Sequence, residues 1–159
     1  FREMRPEEHG YEVLQGQGVF EGELLGGCLE VLDMVIGTEI WPDISEWKNK
    51  ILFIETSEGK LKPDKVVYFL RHLSALGVFN EINGIIIGKP KDETYYEEYK
   101  DAFLKVINIE NHLQKLPILY NVNFGHTAPI CTLPYGMHTK VDLENKLIII
   151  DNDSGNNRI

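Results

Sequence analysis

Apolar residues along this chain fall into short unbroken runs, and the polar residues between the runs mark out the elements. Residues 51–54 run straight into one acid, Glu55, followed by Thr56, Ser57 and a turn at Glu58-Gly59-Lys60. So short a run, closed by turn residues, predicts a strand buried on both faces, as in parallel sheets. GIIIG at 84–88 predicts a second such strand. Between them Val66, Phe69, Leu70, Leu73 and Leu76 make one stripe at helical spacing, with Pro63 suited to the first turn and Gly77 to the end. Strand, helix and strand over 51–88 form a βαβ unit, for which the right-handed parallel crossover is the rule.

The rhythm continues on both sides. Residues 19–25 (VFEGELL) mix apolar and acidic positions and predict a partly exposed strand, broken by Gly26-Gly27. Leu29, Leu32, Val35 and Ile36 predict a helix over 28–36, with Gly37 as its left-handed cap. Ile40-Trp41-Pro42-Asp43 reads as a loop. Tyr95, Tyr96, Tyr99, Phe103, Val106 and Ile107 predict a long amphipathic helix over about 94–113, and 118–124 another strand. The style then changes. Met137, Thr139, Val141 and Leu143 alternate, Glu144-Asn145 turns, and 146–151 returns as a hairpin. The expected fold is α/β, a parallel central sheet with an antiparallel C-terminal hairpin. Residues 1–18 read as a lead-in or linker, 19–151 as the domain, and 152–159 as a fraying tail.

Composition narrows the function classes. A chain of 159 residues with 43 % hydrophobic content suits one globular domain. Its 16 basic and 25 acidic residues give a net charge of −9, which argues against a nucleic-acid polymer as partner. Basic residues are scattered, so no polybasic membrane patch stands out, and no apolar run approaches membrane-spanning length. The charged start FREMRPEEHG is not a signal peptide. Cys28 and Cys131 lie far apart; free thiols in a reducing, cytoplasmic setting are the preferred reading, with a disulfide as the alternative. A chain that opens on Phe1 is expected to be a piece of something longer.

Two residues stand out for chemistry. Glu55 ends a central strand, where α/β folds place their ligands. It either meets solvent there or orients a catalytic histidine. His126 follows the 118–124 strand in FGHTAP, between a freely turning Gly125 and a stiff Pro129. It is either an ordinary loop histidine or a general base, since imidazole titrates near neutrality. In a parallel sheet both leave at the same edge and can meet. His9, His72, His112 and His138 are weaker candidates, and with no HExxH and no Cys–His spacing a metal site is not expected. Gly26-Gly27 reads as a plain turn rather than an anion cradle. Ser45, Ser57, Ser74 and Ser154 lack the GxSxG elbow that exposes a nucleophile. The residues therefore supply at most two-thirds of a triad.

Seven ordered motifs now add up. They are GYEVLQG (10–16), GELLGGCLEVL (22–32), GTxxWPD (37–43), KILFIETSE (50–58), GIIIGKP (84–90), PILYNVNFGHTAP (117–129) and LPYG (133–136). Together they resemble the C-terminal half of the LD-carboxypeptidase family of serine peptidases, nearest the microcin C immunity branch. The resemblance implies a swivelling β/β/α domain. It implies a Ser-Glu-His triad with Glu55 and His126 as its acid and base, and the nucleophilic serine and oxyanion hole on a missing N-terminal domain. It further implies hydrolysis of an amide, in murein peptides or in peptidyl or aminoacyl nucleotides, by a cytosolic homodimer that needs no metal or cofactor. Thr56 stands where many members have Asp, and Cys28 where others have Asn. The fragment alone is expected to be inactive. Exposure of the face toward the serine domain predicts an apolar or aromatic patch, with Trp41 and Tyr135 contributing. The competing readings are a non-enzymatic module that binds a peptide or partner, and an unrelated nucleotide-binding domain, which lacks a phosphate loop here.

Overall fold

In residues 8–151, which the computed structural model describes, seven strands build one mixed sheet. They are β1 (Glu12–Gln15), β2 (Val19–Cys28), β3 (Ile51–Glu55), β4 (Gly84–Gly88), β5 (Ile118–Val122), β6 (His138–Asp142) and β7 (Leu147–Ile150). Their order is β1-β5-β4-β3-β2-β6-β7. The four central strands β5, β4, β3 and β2 pair in parallel. Strands β1, β6 and β7 pair antiparallel at the two sides. This is the α/β architecture the pattern predicts. The tail 152–159 lies outside the described residues, as do the first seven residues of the lead-in.

The helices are α1 (Leu29–Val35), α2 (Pro63–Ala75), α3 (Val78–Glu81) and α4 (Tyr96–Phe103). Strands β3 and β4 form because their unbroken Ile and Leu runs are covered on both faces. One face carries the helical stripe, with Val66, Leu70 and Leu73 of α2 and Tyr99 and Phe103 of α4 packed on Leu52, Ile54, Ile85 and Ile87. The other face holds Ile51, Ile86, Leu119, Val122 and Phe124 beneath the hairpin's Val141 and Leu143. Each fully buried aliphatic side chain contributes about 1.5–3 kcal/mol.

Three expectations change. Residues 12–15, read as lead-in, form β1. Its place is fixed by side chains that a hydropathy pattern does not reveal: Gln15 Nε2 donates to the carbonyls of Leu113 (2.8 Å) and Leu116 (2.6 Å), and Glu12 pairs with Lys100 at 2.8 Å. Gly26-Gly27 does not break β2. The strand continues to Cys28, Gly26 opposite Phe53 and Gly27 opposite Ile54. Gly26 is required because a Cβ there would overlap the Phe53 carbonyl oxygen. The long helix over 94–113 starts at Tyr96, and beyond Phe103 it loosens into a π-helical stretch, Leu104–Glu110.

Strand β2 is shared by two pairings. Residues 19–23 pair antiparallel with β6, and residues 24–28 pair in parallel with β3. Strand β5 changes face near its end. Asn121, at φ 65°, breaks the alternation, so Tyr120 packs under the helices while Val122 packs on the opposite side. The buried Asn121 amide donates to the carbonyls of His9 (2.9 Å) and Gly10 (3.1 Å).

Candidate active site

Three parallel strand ends meet at one edge of the sheet. Cys28 ends β2 and is the register partner of Glu55, which ends β3. Strand β5 leads into the loop that carries His126. Register partners on neighbouring strands project to the same side, so Cys28 and Glu55 share a face.

Glu55 and His126 touch. The Glu55 carboxylate lies 2.9 and 3.1 Å from His126 Nδ1, and Oε2 also accepts the His126 backbone N–H at 3.1 Å. Glu55 is 8 % exposed, whereas the His126 side chain is 43 % exposed. One carboxylate therefore fixes both the ring and the backbone of the histidine. The loop passes this close because residue 125 is glycine. Its φ is +87°, and a Cβ there would stand 2.5 Å from Glu55 Oε2. Gly88 of β4 makes similar room, since a Cβ there would come 2.8 Å from Glu55 Cβ.

The other ring nitrogen is also occupied. His126 Nε2 lies 3.1 Å from the carboxylate of Glu58, a side chain 69 % exposed on the turn after β3. That turn is held by Glu30 of α1, which accepts the Ser57 hydroxyl at 2.7 Å and the Ser57 N–H at 3.2 Å. Glu30 also accepts the Cys28 thiol at 3.3 Å. The hydrogen bond that His126 donates to Glu55 raises its pKa above the ordinary 6.5; partial burial opposes this, and the charges of Glu55, Glu58 and Glu30 reinforce it. Burial pushes the Cys28 thiol up to about 12, against a backbone hydrogen bond from Val31 and with the help of the Glu55 and Glu30 charges. At neutral pH Cys28 is a thiol and not a nucleophile.

The remaining candidates are elsewhere or already engaged. His72 pairs with Asp33 at 2.7 Å, His138 with Asp151 at 3.2 Å, and His9 with Glu93 at 3.1 Å. The Ser57 hydroxyl donates to Glu30 and that of Ser74 to Asn111. Cys28 and Cys131 are free thiols. Among the described residues, two groups have ligand atoms close enough to chelate a cation: Cys28–Glu55–His126, and the surface group Glu8–His9–Glu93. The sequence contains no Cys–His spacing, yet the sheet register assembles a Cys–Glu–His group.

Beyond the dyad, Phe53 meets Tyr135 edge-on at 5.9 Å, and Tyr135 is 65 % exposed. Ile130, on the loop after His126, is also exposed. Trp41 leans on the buried Trp47 at 5.5 Å. An open groove of about 460 Å³ runs between Trp41, Ile40 and Tyr135. No helix among the described residues is long and apolar enough to cross a membrane.

A mixed sheet of this order, with a glutamate-oriented histidine at its parallel edge, fits a peptidase domain. Residues 21–141 match the model of the LD-carboxypeptidase C-terminal domain, and the chain belongs to that family. A putative carboxypeptidase of Treponema pallidum is 33 % identical over 144 residues, covering 89 % of this chain and 40 % of the relative. The microcin C7 self-immunity protein MccF of Escherichia coli is 30 % identical over 135 residues, covering 85 % of this chain and 38 % of its own length. Among solved structures, an MccF-like protein from Streptococcus pneumoniae in complex with AMP superposes with a TM-score of 0.80 at 39 % identity, covering 91 % of this chain and 45 % of that one. MccF in complex with glutamyl sulfamoyl guanosine gives 0.72 at 28 % identity, over 94 % and 44 %. The chain thus spans about two-fifths of the length of the curated relatives it matches.

Proposed function

We propose that this chain supplies the glutamate and histidine of a Ser-Glu-His peptidase triad, with the nucleophilic serine on a separate N-terminal domain. The observation that carries this reading is the double grip of Glu55 on the Nδ1 and backbone N–H of His126. With Nδ1–H held by the carboxylate, Nε2 is the nitrogen left to act as base. It takes the serine proton as the hydroxyl attacks the amide carbon, then returns that proton to the leaving amine. Glu55 holds the tautomer and stabilises the imidazolium. Glu58 has to release Nε2 before a serine can approach, and its exposure leaves it free to swing away.

The substrate is a small peptide amide, either a carboxy-terminal bond or the link in a peptidyl or aminoacyl nucleotide. Family membership and the nucleotide ligands of the solved relatives support this class. The same reading makes the parent a cytoplasmic homodimer and leaves the 159-residue chain inactive without its serine domain. The test is activity of the two-domain parent on a murein tetrapeptide and on an aminoacyl sulfamoyl adenosine. Glu55→Gln and His126→Ala should each lower kcat by roughly 10³-fold or more, with KM little changed. Unchanged turnover in both variants overturns the catalytic reading and leaves a peptide-binding module in its place.

A further inference from the structure

We propose that Cys28, Glu55 and His126 form a binding site for a thiophilic divalent cation of the zinc type. The three side chains come from three different strand ends, yet their ligand atoms all lie within 4.8 Å of one another. Tetrahedral zinc, with ligands at about 2.0–2.3 Å, spaces its ligand atoms about 3.3–3.8 Å apart. Closing the site therefore takes side-chain adjustments of about an ångström, and the backbone can stay in place. Sulfur, imidazole and carboxylate are the ligand types zinc prefers, and the thiol selects against magnesium and calcium. The backbone is already set: Cys28 and Glu55 are register partners, and the His126 N–H is tied to Glu55.

The surroundings favour a cation. The Glu30 carboxylate accepts the Cys28 thiol, and that of Glu58 lies 3.1 Å from His126 Nε2. On binding, the Cys28 S–H bond breaks, sulfur keeps the electron pair as a ligand, and the proton leaves to solvent; the His126 nitrogen that ligates likewise gives up its N–H proton to solvent and keeps the lone pair. Water completes the fourth position. The cation is not a cofactor here, because it occupies the two residues assigned above to proton transfer. Zinc should therefore inhibit the two-domain parent, reversibly with EDTA. That consequence rests on the catalytic reading; the binding itself does not.

The decisive experiment titrates the 159-residue chain with Co²⁺ as a spectroscopic stand-in, then displaces it with Zn²⁺. The expected result is a near-ultraviolet thiolate-to-cobalt band with the intense visible bands of a four-coordinate centre, at one equivalent. Cys28→Ser should abolish the thiolate band and weaken zinc affinity at least about tenfold, measured against a chromophoric chelator. His126→Gln should weaken affinity as well, and Cys131→Ser should change nothing. Far-ultraviolet circular dichroism of each variant separates lost binding from lost folding, and the wild-type spectrum decides the matter even if a variant fails to fold. Absence of a thiolate band in the wild-type chain, or an unaltered one in Cys28→Ser, overturns the site. Neither result bears on turnover in Glu55→Gln and His126→Ala, so this proposal and the catalytic one fail separately.

Discussion

His126 is a titrating residue under load. Its pKa is raised chiefly by the hydrogen bond it donates to Glu55, so the imidazolium persists above its ordinary pH range. Stability from this pair is fully present below the unfolded-state value and is lost as pH rises through the raised folded value. Side-chain NMR titration should place the His126 midpoint above 6.5, with Glu55→Gln lowering it and Glu58→Gln lowering it by less. On the proposed mechanism the base must be neutral, so kcat/KM of a two-domain parent should climb with pH through the His126 midpoint. Gly125→Ala should cost about 1–3 kcal/mol, because it forces a left-handed φ on alanine and drives a methyl into Glu55; urea unfolding measures this. The meeting of Glu55 and His126 is legible from strand-end position, loop placement and the shared edge of a parallel sheet. Cys28 is not. Its nearness to the pair follows from which residue of β2 sits opposite Glu55, and register does not appear in spacing along one chain.

At the scale of elements, fully buried runs were the easiest to read. ILFI (51–54) and GIIIG have no polar position to offer solvent, so a covered central strand suits them. Helix α2 shows its stripe openly, and Leu70→Ala should destabilise the domain by about 2–5 kcal/mol in denaturant unfolding, since the fully buried site is walled by strands and helices that cannot all collapse inward. Strand β1 leaves little trace in the hydropathy pattern because EVLQ is short and half polar, and tertiary hydrogen bonds place it. Strand β2 was cut short because a glycine pair ordinarily signals a turn, whereas here Gly26 lets two backbones approach. The π-helical stretch after α4 leaves no mark in hydrophobic spacing, because its Val106 and Ile107 are buried like residues of an ordinary helical stripe.

Over the whole molecule the sheet has a protected middle and weaker margins. Amide hydrogen exchange should be slowest in β3 and β4, which have paired neighbours on both sides and covers on both faces, and faster in β1 and β7 at the ends of the order. Tyr135 and Ile130 stand openly at the surface. Strand β2 reaches further than its neighbours. One stretch of backbone begins paired with the hairpin's β6 and finishes at Cys28, beside Glu55. A pull or twist on the hairpin thus passes through the β6–β2 ladder and then along one continuous strand to Cys28.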